Sequence, residues 1–171
     1  MAESKTSTGS LPPGADPENT LIIETTPGVI FIELDTDVAP THAERLKQLA
    51  REGFYDDVPF HRVIDGFMAQ TGDGQHGNGT GGSSYPDLKA EFSDVPFERG
   101  TVGMARKGGN NHSANSQFFI MFDEGSFLNG QYTVIGEVVA GMDVVDKLKR
   151  GEPPANPDRI VRMQVAADAK A

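Results

Sequence analysis

Pro59-Phe60-His61-Arg62-Val63-Ile64-Asp65-Gly66-Phe67-Met68-Ala69-Gln70-Thr71-Gly72-Asp73 is the stretch that decides how this chain is read. Two short apolar runs flank Asp65-Gly66, a dipeptide that favours tight hairpin turns because both residues tolerate positive φ. The residues allow two registers. A two-residue loop at Asp65-Gly66 sets Arg62 opposite Ala69, and a three-residue loop that includes Phe67 sets it opposite Gln70. Side chains alternate along a strand and facing residues share one side of the sheet. The longer loop therefore gathers Arg62, Ile64, Met68 and Gln70 on one surface, with Val63 and Ala69 on the other. One cation and one amide among apolar groups, without an acid or thiol, would grip something neutral and partly apolar. The shorter loop scatters that set.

Phe60-His61-Arg62-Val63-Ile64 followed by Gly66-Phe67-Met68-Ala69-Gln70-Thr71-Gly72-Asp73 resembles the signature of the cyclophilins, a family of peptidyl-prolyl cis-trans isomerases. In that family the arginine faces the glutamine, which favours the three-residue loop. The resemblance covers roughly residues 21–166, and Ser116-Gln117-Phe118-Phe119-Ile120 is its second specific match.

Composition sets wide bounds. A chain of 171 residues is expected to form one domain with a real core. It is 37% hydrophobic and 23% charged, as soluble globular proteins are. A net charge of -10 argues against a nucleic-acid surface, which is normally basic. No apolar run approaches the length of a bilayer span. Zero cysteines exclude disulfides and thiol chemistry and fit a cytoplasmic protein. Residues 1–19, rich in Ser, Thr, Pro and Gly, are expected to be a disordered tail rather than a signal peptide. The domain is expected over 20–167, with a polar C-terminal tail over 168–171.

Along the chain, Leu21–Glu24 and Val29–Leu34 read as a hairpin turning at Pro27-Gly28. Thr41-His42-Ala43-Glu44 has the form of a capping box and predicts a helix to about Gly53, with Leu46, Leu49 and Ala50 inward and His42 on the surface. Gly100–Arg106, Ser116–Phe122, Thr133–Val138 and Ile160–Val165 read as further strands. In Ser116–Phe122 parity separates Gln117, Phe119 and Met121 from Phe118, Ile120 and Phe122. Gly141–Arg150 reads as a second helix with Val144, Val145 and Leu148 inward and Gly151 as its C-cap. About eight strands and two helices suggest an all-β antiparallel barrel or sandwich. The resemblance selects a closed eight-stranded barrel capped by two α-helices.

Gly72-Asp73-Gly74-Gln75-His76-Gly77 matches G-x-G-x-x-G, but more glycines follow instead of the helix a dinucleotide site needs. A long surface loop is the better reading, and the resemblance sets its Gly79-Thr80-Gly81-Gly82 beside the substrate groove. Histidines 42, 61, 76 and 112 lack metal-ligand spacing, so no metal and no cofactor are expected. His61, opposite in parity to Arg62, is expected inward and hydrogen-bonded.

Carried over residue by residue, the resemblance implies Arg62 as the catalytic cation, acting with Gln70 and Phe67. Phe67, Met68, Phe119 and Leu128 would form a proline pocket, and Gln70 and Gln117 would hold the substrate backbone or the arginine. His61, Ala105 and Arg106 would border the substrate, with Phe127 and Tyr132 at the rim. Phe127 replaces the tryptophan of many eukaryotic members, Tyr132 a histidine and Arg106 an asparagine, as in the bacterial branch. Loop Lys107–Asn115 is slightly longer than theirs. The implied partners are proline-containing peptides and unfolded chains, with cyclosporin bound only weakly, and the implied state is a monomer. A non-catalytic peptide-binding or scaffold module on the same barrel is the alternative.

Overall fold

The computed structural model describes residues 11, 12 and 14–169. Nine antiparallel strands are joined in one curled sheet: β1 (Thr20–Thr25), β2 (Val29–Leu34), β3 (Val58–Pro59), β4 (Arg62–Ile64), β5 (Met68–Thr71), β6 (Thr101–Met104), β7 (Phe118–Met121), β8 (Val134–Ala140) and β9 (Arg159–Val165). Their order is β3-β9-β1-β2-β8-β6-β7-β5-β4. The all-β antiparallel expectation is borne out, but strand count and closure differ from the expected eight-stranded closed barrel. The two edge strands, β3 and β4, are separated in sequence only by Phe60 and His61. The chain itself, not a hydrogen-bond ladder, joins the first edge to the last. Where the ladder lapses, the Phe60 amide donates to Asp158 O at 2.8 Å and Val63 bridges Gly151.

β1 and β2 turn at Pro27-Gly28 as the sequence indicates, with Thr25 and Gly28 exchanging backbone bonds of 2.7 and 3.2 Å. One face of the sheet and both helices enclose the main core. Ile23, Ile32, Val63, Ala69, Phe118, Ile120 and Met163 meet Ala43, Leu46, Leu49 and Ala50 of α1 (Pro40–Arg51) there.

The helices correct four expectations. α1 starts at Pro40, because proline's fixed φ and missing N–H suit the first helical position. Thr41 then falls too far in to cap, and Glu44 pairs with Lys47 at 3.1 Å instead. The open amides are met from far along the chain: Glu91 accepts from the Thr41 and His42 backbones at 3.3 and 3.0 Å and from His42 Nδ1 at 2.5 Å. His42, expected on the surface, is wholly buried under this cap. Burial holds its imidazole below the ordinary value although Glu91 pulls the other way, so a neutral ring donates Nδ1–H to a carboxylate. The second helix, expected to Arg150, is only α2 (Met142–Val145). Beyond it the Lys147 and Leu148 amides bond three residues back, and the Arg150 guanidinium takes the Asp146 and Leu148 carbonyls at 2.8 and 2.6 Å. Val144, Val145 and Leu148 still face the core. Gly151 caps nothing helical; it pairs with β4.

Residues 1–10 of the expected N-terminal tail lie outside the described residues, as do 13, 170 and 171. From Asp16 the chain is built into the fold. Pro17–Asn19 forms a 3-10 turn, and Glu18 pairs with Lys47 and Arg51, each at 3.2 Å. Arg51 also pairs with Asp168 at 2.7 Å, so both ends of the domain meet on α1.

Glu91→Ala removes the α1 cap and orphans a buried imidazole donor. It should lower unfolding free energy by about 1–3 kcal/mol. Urea denaturation measures this, and isomerase activity of the folded fraction should be retained.

Candidate active site

The hairpin β4–β5 adopts the longer of the two possible loops. Arg62 faces Gln70, Val63 faces Ala69 and Ile64 faces Met68. The Phe67 amide donates to Ile64 O at 3.0 Å and closes the turn, where Gly66 takes a φ of 74°. Val63 and Ala69 point into the main core, and the opposite face carries Arg62, Ile64, Met68 and Gln70.

β7 repeats the division one strand over. Phe118 and Ile120 belong to the main core, while Phe119 and Met121 join Met68, Phe97, Leu128 and Val134 in a second cluster on the other face. Phe97 stacks on Phe119 with centroids 5.8 Å apart, and Tyr132 meets it edge-on at 5.8 Å. Phe119 is thereby fixed from behind and from the side. Above this floor lies a groove of about 340 Å³.

Polar groups form a relay along one wall. Arg62 Nη1 donates to Gln70 Oε1 at 3.3 Å, and Gln70 Nε2 donates to Gln117 Oε1 at 2.9 Å. Gln117 Nε2 then donates to Gly79 O and Gly81 O at 2.9 and 2.8 Å. Each amide has its oxygen and nitrogen committed in one direction, so donation runs one way, from cation to loop.

The loop at the far end is organised by one carboxylate. Asp73, 1% exposed, accepts the backbone amides of Gln75, His76, Asn78, Gly79 and Gly81 at 2.8–3.1 Å. Burial alone would raise its pKa; hydrogen bonds from His76, Gly81, Asn78 and Gly79 outweigh that and hold the carboxyl far below the usual range. A Cβ at Gly81 would collide with Asp73 Oδ1, which is why glycine is needed at that point. The amides that a G-x-G-x-x-G loop would offer to a phosphate are taken by the chain's own anion. The loop is therefore a wall of the groove, not a nucleotide site.

The structure brings nearly all the expected site residues together. Arg62, Gln70 and His61 line one side, Phe67, Met68, Phe119 and Leu128 the apolar pocket, and Ala105, Arg106 and Tyr132 the opposite wall. Gln117 sits behind Gln70, between this groove and a neighbouring polar depression. Phe127, 69% exposed, stands at the rim with its ring 5.6 Å from that of Phe67. Arg106 lies over the Tyr132 ring at 4.3 Å and donates to Gln131 O. His61 is inward, as expected, but not hydrogen-bonded: neither ring nitrogen finds a partner among the described residues. Burial lowers its pKa, with Asp73 pulling up and Arg62 pushing down, so it stays neutral at neutral pH. Thr80 lies in the groove wall as the resemblance implies, but sequence reasoning missed Asn78 beside it and Asp73 beneath. An aspartate opening a glycine-rich run is the signal that could have found the last.

The sequence profile of the family described as "Cyclophilin type peptidyl-prolyl cis-trans isomerase/CLD" matches residues 20–165. The chain belongs to the cyclophilin family. A probable peptidyl-prolyl cis-trans isomerase of Brucella suis is 57% identical to this cyclophilin over 91% of its chain and 87% of the relative's. Among solved structures, the cyclophilin AquaCyp293 of Hirschia baltica superposes with a TM-score of 0.84 at 30% identity, covering 91% of this chain and 77% of that one. A Cryptosporidium parvum cyclophilin solved in the presence of the dipeptide Ala-Pro gives a TM-score of 0.79 at 26% identity, covering 85% and 98%. This cyclophilin is accordingly a peptidyl-prolyl cis-trans isomerase. No helix among its described residues is long and apolar enough to cross a membrane.

Asp73→Asn replaces an acceptor by a donor against the amides and should cost roughly 2–3 kcal/mol of stability. The native carboxyl titrates below its unfolded value of about 3.9, so its contribution is present above that pH and is lost as pH falls below it. The stability gap between wild type and variant, measured by chemical denaturation, should be constant from about pH 5 to 8 and narrow below about pH 4.

Proposed function

We propose that this cyclophilin turns over X-Pro bonds in peptides and unfolded chains by directing the Arg62 guanidinium at the prolyl nitrogen while the apolar pocket holds the ring. The observation that carries this reading is the Arg62–Gln70 hydrogen bond beside a pocket floored by Phe119 and Met68. Amide resonance opposes rotation by about 18–20 kcal/mol. Twisting the bond breaks that resonance and gives the nitrogen a lone pair that accepts a hydrogen bond. A donor aimed there binds the twisted state more tightly than either planar one, which is the condition for catalysis.

Arg62 suits that task because guanidinium is always charged and donates in a rigid fork. Gln70 occupies one Nη1 donor, and Nη2 makes no hydrogen bond among the described residues. A 10⁵-fold acceleration needs about 7 kcal/mol, and one charged hydrogen bond supplies only about 1.5–3. The rest must come from desolvation and from pinning the proline ring against Phe67, Met68, Phe119 and Leu128 while the preceding carbonyl swings. Gln117 and the backbone of the Gly79–Gly81 loop flank the path of the peptide. Neither a cofactor nor a covalent intermediate enters this mechanism. We read the protein as a monomer, and as cytoplasmic because a chain with zero cysteines gains no disulfide from an oxidising compartment.

Arg62→Ala should remain folded and lose most turnover of an Ala-Pro model peptide, and Arg62→Lys should be severely impaired because a flexible ammonium lacks the fork. The kcat/KM of wild type should be nearly flat from about pH 7 to 9, since catalysis by a guanidinium needs no group that gains or loses a proton. Any step should lie below the ordinary imidazole value of about 6.5 and vanish in His61→Gln, because burial depresses the His61 pKa.

Cyclosporin should bind weakly, as phenylalanine at position 127 has no indole N–H to offer. Phe127→Trp should tighten binding several-fold in a calorimetric titration.

A further inference from the structure

The strand that carries Arg62 has a partner on each side. On one side is β5, which sets Gln70 opposite the arginine. On the other is the segment after α2, where Gly151 and Val63 exchange backbone hydrogen bonds, both of 2.8 Å. That bridge is antiparallel, so the next residue, Glu152, falls beside Arg62 by register. Its carboxylate Oε1 accepts from Arg62 Nε at 3.3 Å. The guanidinium is thus held from both sides in one cross-strand row, Gln70–Arg62–Glu152.

We propose that Glu152 is a positioning residue for the isomerase reaction: it fixes Arg62 Nε so that, with Gln70 on Nη1, the Nη2 edge is the one presented to the groove. This rests on the catalytic role given to Arg62 above. The segment is built to hold that place. A Cβ at Gly151 would meet Pro154 Cα at 2.5 Å, and its φ of 146° also disfavours a side chain. Arg150 pairs with Asp65 in the hairpin turn at 3.0 Å and lies over the Phe122 ring at 4.2 Å. Two ion pairs of opposite sense, Arg150–Asp65 and Glu152–Arg62, therefore clip the segment to the hairpin.

Stability does not explain the pair. Arg62 and Glu152 are 44% and 57% exposed, and exposed pairs contribute little to folding. Orientation does explain it. An arginine tethered at one donor can swing its plane about the others; tethered at two, it keeps one free edge in a fixed direction. Arg62 needs that edge at the twisted nitrogen, where small misplacements cost rate.

The test compares Glu152→Ala and Glu152→Gln in the full chain, with steady-state kinetics on an Ala-Pro peptide and ¹⁵N NMR of the Arg62 side chain. Glu152→Ala should lower kcat about 3–10-fold with KM and melting temperature unchanged. Its Arg62 Nε–H resonance should broaden and exchange faster with water. Glu152→Gln, which keeps an acceptor without the charge, should stay within about twofold of wild type and keep the resonance. An unaltered Nε–H signal or a wild-type kcat in Glu152→Ala overturns the proposal. If Arg62→Ala is itself fully active, the reading of the arginine fails. If Arg62→Ala is inactive while Glu152→Ala is normal, only the role of Glu152 fails.

Discussion

The cross-strand pairing of Arg62 with Gln70 is the constraint on which the rest of the site depends. Strand side chains alternate with a period of two, so a slip of one residue would turn Arg62 and Gln70 inward and Val63 and Ala69 outward. Two bonds prevent the slip: Phe67 N to Ile64 O within the turn, and Phe122 N to Phe67 O from the end of β7. Once the register is set, Gln70 stands between the cation and Gln117. Gln117 in turn is placed by its neighbour Ser116, whose hydroxyl donates to Gly72 O and whose carbonyl accepts the buried Tyr55 hydroxyl, each at 2.7 Å. The groove wall is an extension of the strand ladder into side chains.

β7 shows how a small sheet serves two purposes. Buried on both faces, it gives Phe118 and Ile120 to the main core and Phe119 and Met121 to the cluster beneath the groove. The pocket floor is therefore a second core, packed by Phe97 from below, and it is as rigid as the fold itself. The loop opposite achieves rigidity by other means. It has almost no apolar side chains, and its order comes from five amides turned toward one carboxylate. A buried charge in this setting is stabilising only because its hydrogen bonds are complete.

Much of this was legible in the residues, and the failures are instructive. Asp65-Gly66 announced the hairpin, and parity in Ser116–Phe122 sorted core from groove. The choice between two turn lengths was not legible from the residues, because both satisfy the same turn chemistry; the family likeness favoured the one found. The capping box failed since Pro40 moved the helix start by two positions, to an N-cap at Ala39, and the true cap, Glu91, lies about fifty residues away. α2 ends early: the next amides bond three residues back, and Arg150 takes the Asp146 and Leu148 carbonyls that a longer helix would use. Glu152 and Asp73 escaped notice for different reasons. The donor to Glu152 is set beside it by pairing between distant segments, whereas the amides Asp73 accepts follow it within eight residues, a local pattern that was passed over.

The junction at Phe60-His61, where the sheet's two edges meet, bears on how the protein comes into being. Among the described residues β3 finds its only ladder partner in β9, and β1, paired with β2 on one side, shares that partner on the other, so two early strands wait for the last one made. Open strand edges are sites for unwanted pairing. Ribosomes add about 5–20 residues per second, so β3 spends roughly 5–20 seconds without its neighbour. That is close to the tens of seconds of an uncatalysed prolyl rotation. With eleven prolines of its own, a nascent copy faces the delay that finished copies exist to shorten.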